Sequence, residues 1–524
     1  MEQMQLSTID LWIVIAYFLL VLAIGLAVAR RNKTGEELFL GGRTFTWGLI
    51  GLSIFASNIS SSTIIGLSGV AYSSGVVQSV YEWMSGIPLI VAAAIFIPLY
   101  LRAKITTIPE FLELRFDSRS RNFFSALTIF MSVIIEMAGG LYAGALILKS
   151  FFPELVVWQT TLFLAAFAGI YTAVGGLRAV VYTDAMQAII LLIGCTYLTY
   201  ALFAEMDFSW SRVLASVPDG HLSMVRPLDD PTLPWAGLLI GVPFMSFWYF
   251  TTNQFIVQRV LGSKDIRHAR WGLMLAGFLK LTPLFVMVIP GVLAISVIPG
   301  LDNPDMVFPT AIQQFLPVGM IGLVLAGLVS AIMSSVDSIL NSSSTLIVVD
   351  FIQPRKPHLS PQQVANYGRT TTLVLTVLAA LWAPQIANFQ GLWDYLQQMF
   401  SIVVPPIVVI FLVGVFFKRG NGHGSIMTLT LGTAFGILLF VLEQFDLWHL
   451  HYTINVGVML LFSTIVFIWS SYQKPAPDFD RIADLTFKKS LLNEGMEGLP
   501  WYKDFKYQAV VLIAVILTVL IAFW

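Results

Sequence analysis

Long apolar runs, separated by short polar segments, set the pattern of this chain. A membrane-crossing helix needs about 20 apolar residues. Fourteen stretches qualify: 9–29, 46–74, 77–101, 122–148, 156–174, 179–204, 234–258, 271–298, 319–351, 366–386, 392–417, 424–445, 452–472 and 506–524. The longest polar segments, 205–233 and 473–505, read as loops carrying a helical turn or two, so no separate soluble domain is expected. The pattern predicts an all-α polytopic membrane protein.

Two of the fourteen runs are interrupted. In 46–74 the stretch SNISSSTIIG puts Ser57, Asn58, Ser60, Ser61, Ser62 and Thr63 inside the span. In 234–258, Pro243, Ser246, Thr251, Thr252, Asn253 and Gln254 do the same. The first interrupted run opens spans two to six, the second opens spans seven to eleven. Five is an odd number, so the two blocks run in opposite directions through the membrane. Interrupted helices at matching places in inverted halves point to a binding site near the midplane. The expected organisation is an extra N-terminal helix and cytoplasmic loop (1–45), a first repeat (46–204), an external loop (205–233), a second repeat (234–418) and three C-terminal helices (419–524).

Composition and charge agree. The chain is 57% hydrophobic and 11% charged, with mean hydropathy +0.80, whereas soluble domains carry roughly 25% charge. With the N-terminus placed outside, the loops predicted to be internal hold 25 lysines and arginines and the external loops 3, leaving Lys280 within a span. That asymmetry follows the positive-inside rule and predicts an inner-membrane protein with both termini external. The first run lacks a basic flank and a small-residue cleavage site, so it reads as a retained helix. Asn32, Asn58 and Asn341 begin N-x-S/T triplets, but none falls where glycosylation is expected. The single cysteine, Cys195, excludes an internal disulfide. No nucleotide-binding loop, HExxH or nucleophile–base motif is present, which argues against a primary pump and against an enzyme.

The chemistry concentrates in AIMSSVDSILNSSS, 331–344, where eight of fourteen side chains are Ser, Asp or Asn within the apolar stretch 319–351. Unsatisfied polar groups in hydrocarbon cost several kcal/mol each. Ala331, Ser334, Ser335, Ser338 and Ser342 share one helical face. Serines back-bonded to their own helix would explain such a face; so would a hard cation, which takes oxygen ligands. Asp337, about 60° round from Ser334, favours the cation. Asp184 lies about one and a half turns into the sixth span, where it either pairs with Arg178 or helps to hold a cation. A proton shared between Asp184 and Asp337 is the alternative. Glu82 and Lys280 are either solute-binding groups or a structural pair. Glu136, mid-span, has no assignment. His449 and His451 form an H-x-H without further ligands at metal spacing.

The stretches LFLGGRTFTW, ASNISSSTIIGLSG, YEWMSGI, TIPEFLELRF, GGLRAVVYTDAMQ, NQFIVQRVLGSK, FLKL, QQFLPVG, AIMSSVDSILNSSSTLIVVDF and LWDYLQQ run in order from about residue 38 to 400. In them the chain resembles the sodium/solute symporters, most closely the bacterial sodium/galactose and animal sodium/glucose branch. The resemblance implies a fourteen-helix protein with a leucine-transporter-like core of two inverted five-helix repeats, their first helices broken. It implies Na+ as coupling ion, no organic cofactor and a small sugar-like solute. A principal sodium site would use Ala56, Ile59, Ala331, Ser334 and Ser335. A second, found in some relatives, would use Asp184, Ser334, Asp337 and Ser338, where Asp337 replaces the more usual hydroxyl. The solute positions would be Asn58, Glu82, Ser85, Tyr249, Lys280 and Gln397, capped by Tyr81 and Trp393. Thr63 and Ser246 replace amides of the bacterial sugar transporter, leaving hexose, amino sugar and polyol open. The rival readings are a proton-coupled carrier, a carrier of carboxylates or amino acids, and a solute sensor.

Overall fold

The computed structural model describes residues 6–29, 34–388 and 392–524. Helices overlie all fourteen predicted stretches. They are α1 (Thr8–Ala29), α2 (Trp47–Asn58), α3 (Ser61–Ser74), α4 (Val76–Ala103), α5 (Ser118–Phe151), α6 (Val157–Ala204), α7 (Trp235–Thr251) and α8 (Gln254–Leu261). They continue with α9 (Ile266–Val297), α10 (Met320–Arg355), α11 (Pro361–Trp382), α12 (Leu392–Val408), α13 (Gly422–Gln444), α14 (Tyr452–Tyr472) and α15 (Phe505–Ala522).

Among the described residues, ten helices are long and apolar enough to cross a membrane, or eleven if the bent pair α2–α3 counts as one span. The shortfall from fourteen has local causes. Helix α6 covers two predicted spans, and Gly176 (φ 57°, ψ −163°) kinks it between them. The seventh span divides at Thr252–Asn253, between α7 and α8. Helix α11 opens on the polar run PQQVANYGRTTT.

The two expected breaks are where the polar runs lie. Helix α2 ends at Asn58, Ile59 is extended (φ −88°, ψ 92°), and the chain bends by 58° into α3, whose N-cap Ser60 accepts from Thr63 N. At the second break Asn253 caps α8 through Phe255 N. Both breaks leave backbone groups near the molecule's middle without helical partners, the arrangement that polar ligands exploit.

Helix α10 is the axis of the molecule and is almost wholly buried. It packs along α6, where a Cβ at Gly194 would come 3.0 Å from Val324, and at Gly327 3.4 Å from the Leu191 backbone. Small residues here let two helices approach closely. Helix α1 clasps the start of α10: Asp10 Oδ1 accepts from Gly319 N (2.8 Å) and Gly322 N (2.7 Å), satisfying two orphan donors at a helix N-terminus.

The basic end of the molecule is held by buried arginines rather than by loops alone. Arg115 donates to the carbonyls of Gly414, Phe417 and Gly420. Arg270 donates to Ala93, Leu491 and Glu494 carbonyls, which ties the segment 473–504 onto α4 and α9. In sequence both fall between predicted spans, at 102–121 and 259–270.

Candidate functional site: a central cavity beside a buried charge cluster

A cavity of about 140 Å³ lies between the two broken helices. Asn58, Ser60 and Thr63 reach it from the first break. Tyr81, Glu82 and Ser85 come from α4, Glu136 from α5, Ser246 and Tyr249 from α7, Ser335 from α10 and Gln397 from α12. Aromatic rings of Trp248, Phe250, Phe255 and Phe400 supply the apolar wall. Hydroxyl-binding groups set among ring faces are the usual make-up of a small-molecule site.

Lys280 does not line this cavity. Its Nζ donates to Glu82 Oε2 and to Asn58 Oδ1, with the side chain fully buried. The two charges pair, and Lys280 thereby holds two lining residues, Glu82 and Asn58. Ser85 donates to its own helix at Tyr81 O (2.6 Å). Tyr81 bonds Tyr452 at the start of α14 (3.1 Å between hydroxyls), which links the cavity to a helix outside the repeats. The side chain of Trp393 lies outside the described residues. The resemblance named most of the lining polar groups but passed over Ser60, the four aromatic wall residues and Glu136.

Behind the cavity sits a second polar cluster, centred on Asp184 of α6. Its Oδ2 accepts from Ser53 (2.5 Å), Ser57 (3.0 Å) and Arg259 Nη2 (3.0 Å), and its Oδ1 from Ser334 (2.6 Å). Arg259 also donates to Ser53 (2.6 Å), Ser57 and Ser338, and both charged side chains are fully buried. This corrects two expectations. The partner of Asp184 is Arg259, not Arg178, which instead donates to Gly41 O (2.7 Å). Arg259 is not a loop residue at all. In sequence it stands at the edge of the basic segment 259–270, yet its neighbour Gln258 is buried too.

The serine face of α10 is bonded both within its own helix and across the first break. Ser330, Ser335, Ser338 and Ser342 back-bond to their own helix. Ser335 Oγ also reaches Ser57 O across the first break (3.3 Å), and Ser57 Oγ lies 3.3 Å from Ser334 Oγ and 3.1 Å from Ser338 Oγ. Ser338 Oγ bonds Asp337 Oδ1 (3.2 Å). The Ser57 carbonyl at the first break thus faces Ser335 of the Ala331–Ser335 turn. Asn341 Nδ2 and Ser343 Oγ are buried without a hydrogen-bond partner, and we have no physical account of them. His451 caps α14 by accepting from Thr453 N (3.3 Å).

A cavity between two broken helices, with a serine-rich face on the adjoining helix, is the arrangement of a secondary transporter. The comparisons agree. Residues 38–432 match the sodium:solute symporter family, and the chain belongs to that family. The pig sodium/myo-inositol cotransporter 2 is 34% identical over 479 residues, covering 84% of this chain and 71% of its own. The mouse sodium/glucose cotransporter 4 is 32% identical over 540 residues, covering 92% and 78%. In fold, a Na+-coupled sialic acid symporter solved in a substrate-bound outward-open state matches with TM-score 0.80 at 23% identity, over 90% of this chain and 99% of the other. A closed nucleobase-cation-symport-1 transporter matches with TM-score 0.58 at 14% identity, over 87% and 99%. The chain has the all-α, leucine-transporter-like fold and is a transporter, not an enzyme.

Proposed function

We propose that this chain carries a sugar-like, hydroxyl-rich solute across the membrane together with sodium. The observation that carries the reading is Lys280 holding Glu82 and Asn58 at the edge of the cavity. Such a fixed carboxylate and amide present acceptors and a donor to hydroxyls without immobilising a flexible side chain on binding. The similarity to myo-inositol and glucose cotransporters supports a polyol or hexose. The repeats are 46–204 and 234–418, and the basic-loop asymmetry suits termini on the external side of a cell membrane.

Sodium occupies the principal site of Ala56, Ile59, Ala331, Ser334 and Ser335, where hydroxyls and broken-helix carbonyls meet. Its binding fixes the first break against α10 and prepares the cavity for solute. The second set, Asp184, Ser334, Asp337 and Ser338, already contains a cation, the Arg259 guanidinium. That favours one sodium per solute in this chain.

The test is thermal stabilisation of the purified protein. Sodium should stabilise it, and myo-inositol or glucose should add to that only when sodium is present. Lys280→Ala should keep the sodium response and lower solute affinity by about tenfold or more, because it leaves Glu82 and Asn58 without their fixed donor. Stabilisation by a carboxylate or amino acid, with none by sugars or polyols, would overturn the solute assignment.

A further inference from the structure

The cavity lining contains two carboxylates, Glu82 and Glu136, and among the described residues no cationic side chain. Lys280 neutralises Glu82. Glu136 has no such partner: among the described residues no lysine, arginine or histidine forms an ion pair with it. Ser132 Oγ donates to its Oε2 (3.0 Å). The Asn253 side chain, at the second break, faces the same carboxylate, but its amide nitrogen stands outside hydrogen-bond geometry. The protein thus offers Glu136 two neutral groups and an open side.

Two further features mark the place. Glu136 lies in a π-helical turn, Met131–Met137, which interrupts the α-helical pattern of α5. Such turns recur at functional sites. One turn on, Gly140 also lines the cavity, and a Cβ added there would meet nothing within 4 Å. Room is therefore left beside the unneutralised carboxylate. An anion in a low-dielectric cavity is costly unless it takes up a proton or something positive arrives with the ligand.

We infer that Glu136 makes the cavity select a solute bearing a positive charge, an amine-substituted hydroxyl-rich ring, with the ammonium on Glu136 and the ring hydroxyls on Asn58, Glu82 and Gln397. The inference rests on the cavity being the solute site, as proposed above. A neutral hexose or cyclitol fits the same hydroxyl contacts but leaves Glu136 uncompensated.

The experiment uses the full chain in proteoliposomes under an inward sodium gradient at pH 6.5. Two probe pairs differ by one hydroxyl exchanged for an ammonium: D-glucose with D-glucosamine, and myo-inositol with an amino-deoxy-inositol. In at least one pair the amine should be taken up at concentrations about tenfold or more lower, the range expected for a charge-assisted hydrogen bond. In E136Q that ratio should collapse towards one, the amine losing far more than its neutral partner. Equal loss of both members would mean that Glu136 only supports the fold. The wild-type ratio reads independently of the variant, so a misfolded E136Q does not rescue the idea. Neutral uptake without any amine preference overturns the inference and leaves the symport reading standing. Sodium stabilisation with uptake of none of the four solutes overturns both.

Discussion

At the scale of single residues, the decisive feature is how buried charges are paired. Asp184 with Arg259, and Glu82 with Lys280, each hold opposite charges in contact where water is excluded. Removing one partner of a buried pair costs about 3–5 kcal/mol, because the survivor is left charged and alone, whereas removing both with apolar groups of similar volume is often close to neutral. Asp184→Asn and Arg259→Met should therefore each lower the unfolding midpoint strongly, and the double variant should recover most of the loss. A double variant as unstable as the sum of the two would show that they do not act as a pair. The same residues show what a sequence can and cannot disclose. Asp184 stood out because a lone acid inside an apolar run is rare. Arg259 did not, because an arginine near a span's end is normally read as a loop residue. Only the packing of α8 against α2 and α10, with Asp184 of α6 within reach, reveals where its side chain goes. Glu136 was visible as an oddity, but the π-helical turn that presents it to the cavity leaves no mark on hydrophobic periodicity.

At the scale of elements, the breaks were legible because polar runs in apolar helices have few explanations. SNISSSTIIG and the run Thr251–Gln254 lie where α2 gives way to α3 and α7 to α8. The division of spans five and six was also expected, yet its cause lies in a single residue. Gly176 takes φ 57°, and a Cβ there would come within 2.5 Å of Leu38 O and 2.6 Å of Leu38 Cδ1. Positive φ alone costs a side-chain-bearing residue about 1–2 kcal/mol, and the clash adds to it. Gly176→Ala should accordingly destabilise the protein by about 2 kcal/mol or more. It should also loosen the segment Gly35–Leu40, which packs on this kink, measured as faster amide exchange there. An unchanged exchange rate at 35–40 would mean that the kink does not anchor this segment.

At the scale of the whole molecule, the buried charges set the ion count. Each pair holds its own opposite charges, and Arg259 already fills the second cation set, which leaves the proposed principal site for one sodium and the Glu136 carboxylate for a charged solute. This yields a prediction that tests the charge reading without identifying the solute in advance. Current and tracer flux measured together should give one charge per molecule of a neutral solute and two per molecule of an amine. The energetics follow. One charge moving down about 100 mV contributes about 2.3 kcal/mol, and a tenfold sodium gradient about 1.4 kcal/mol. A neutral solute can then accumulate by about two and a half decades. A cationic one gains a further ~2.3 kcal/mol from its own charge and reaches about four decades. Two charges per neutral solute would instead mean that a second sodium displaces Arg259 from Asp184 during the cycle. Asp184→Asn should in that case reduce the ratio to one, while under the single-sodium arrangement it leaves the ratio where it was.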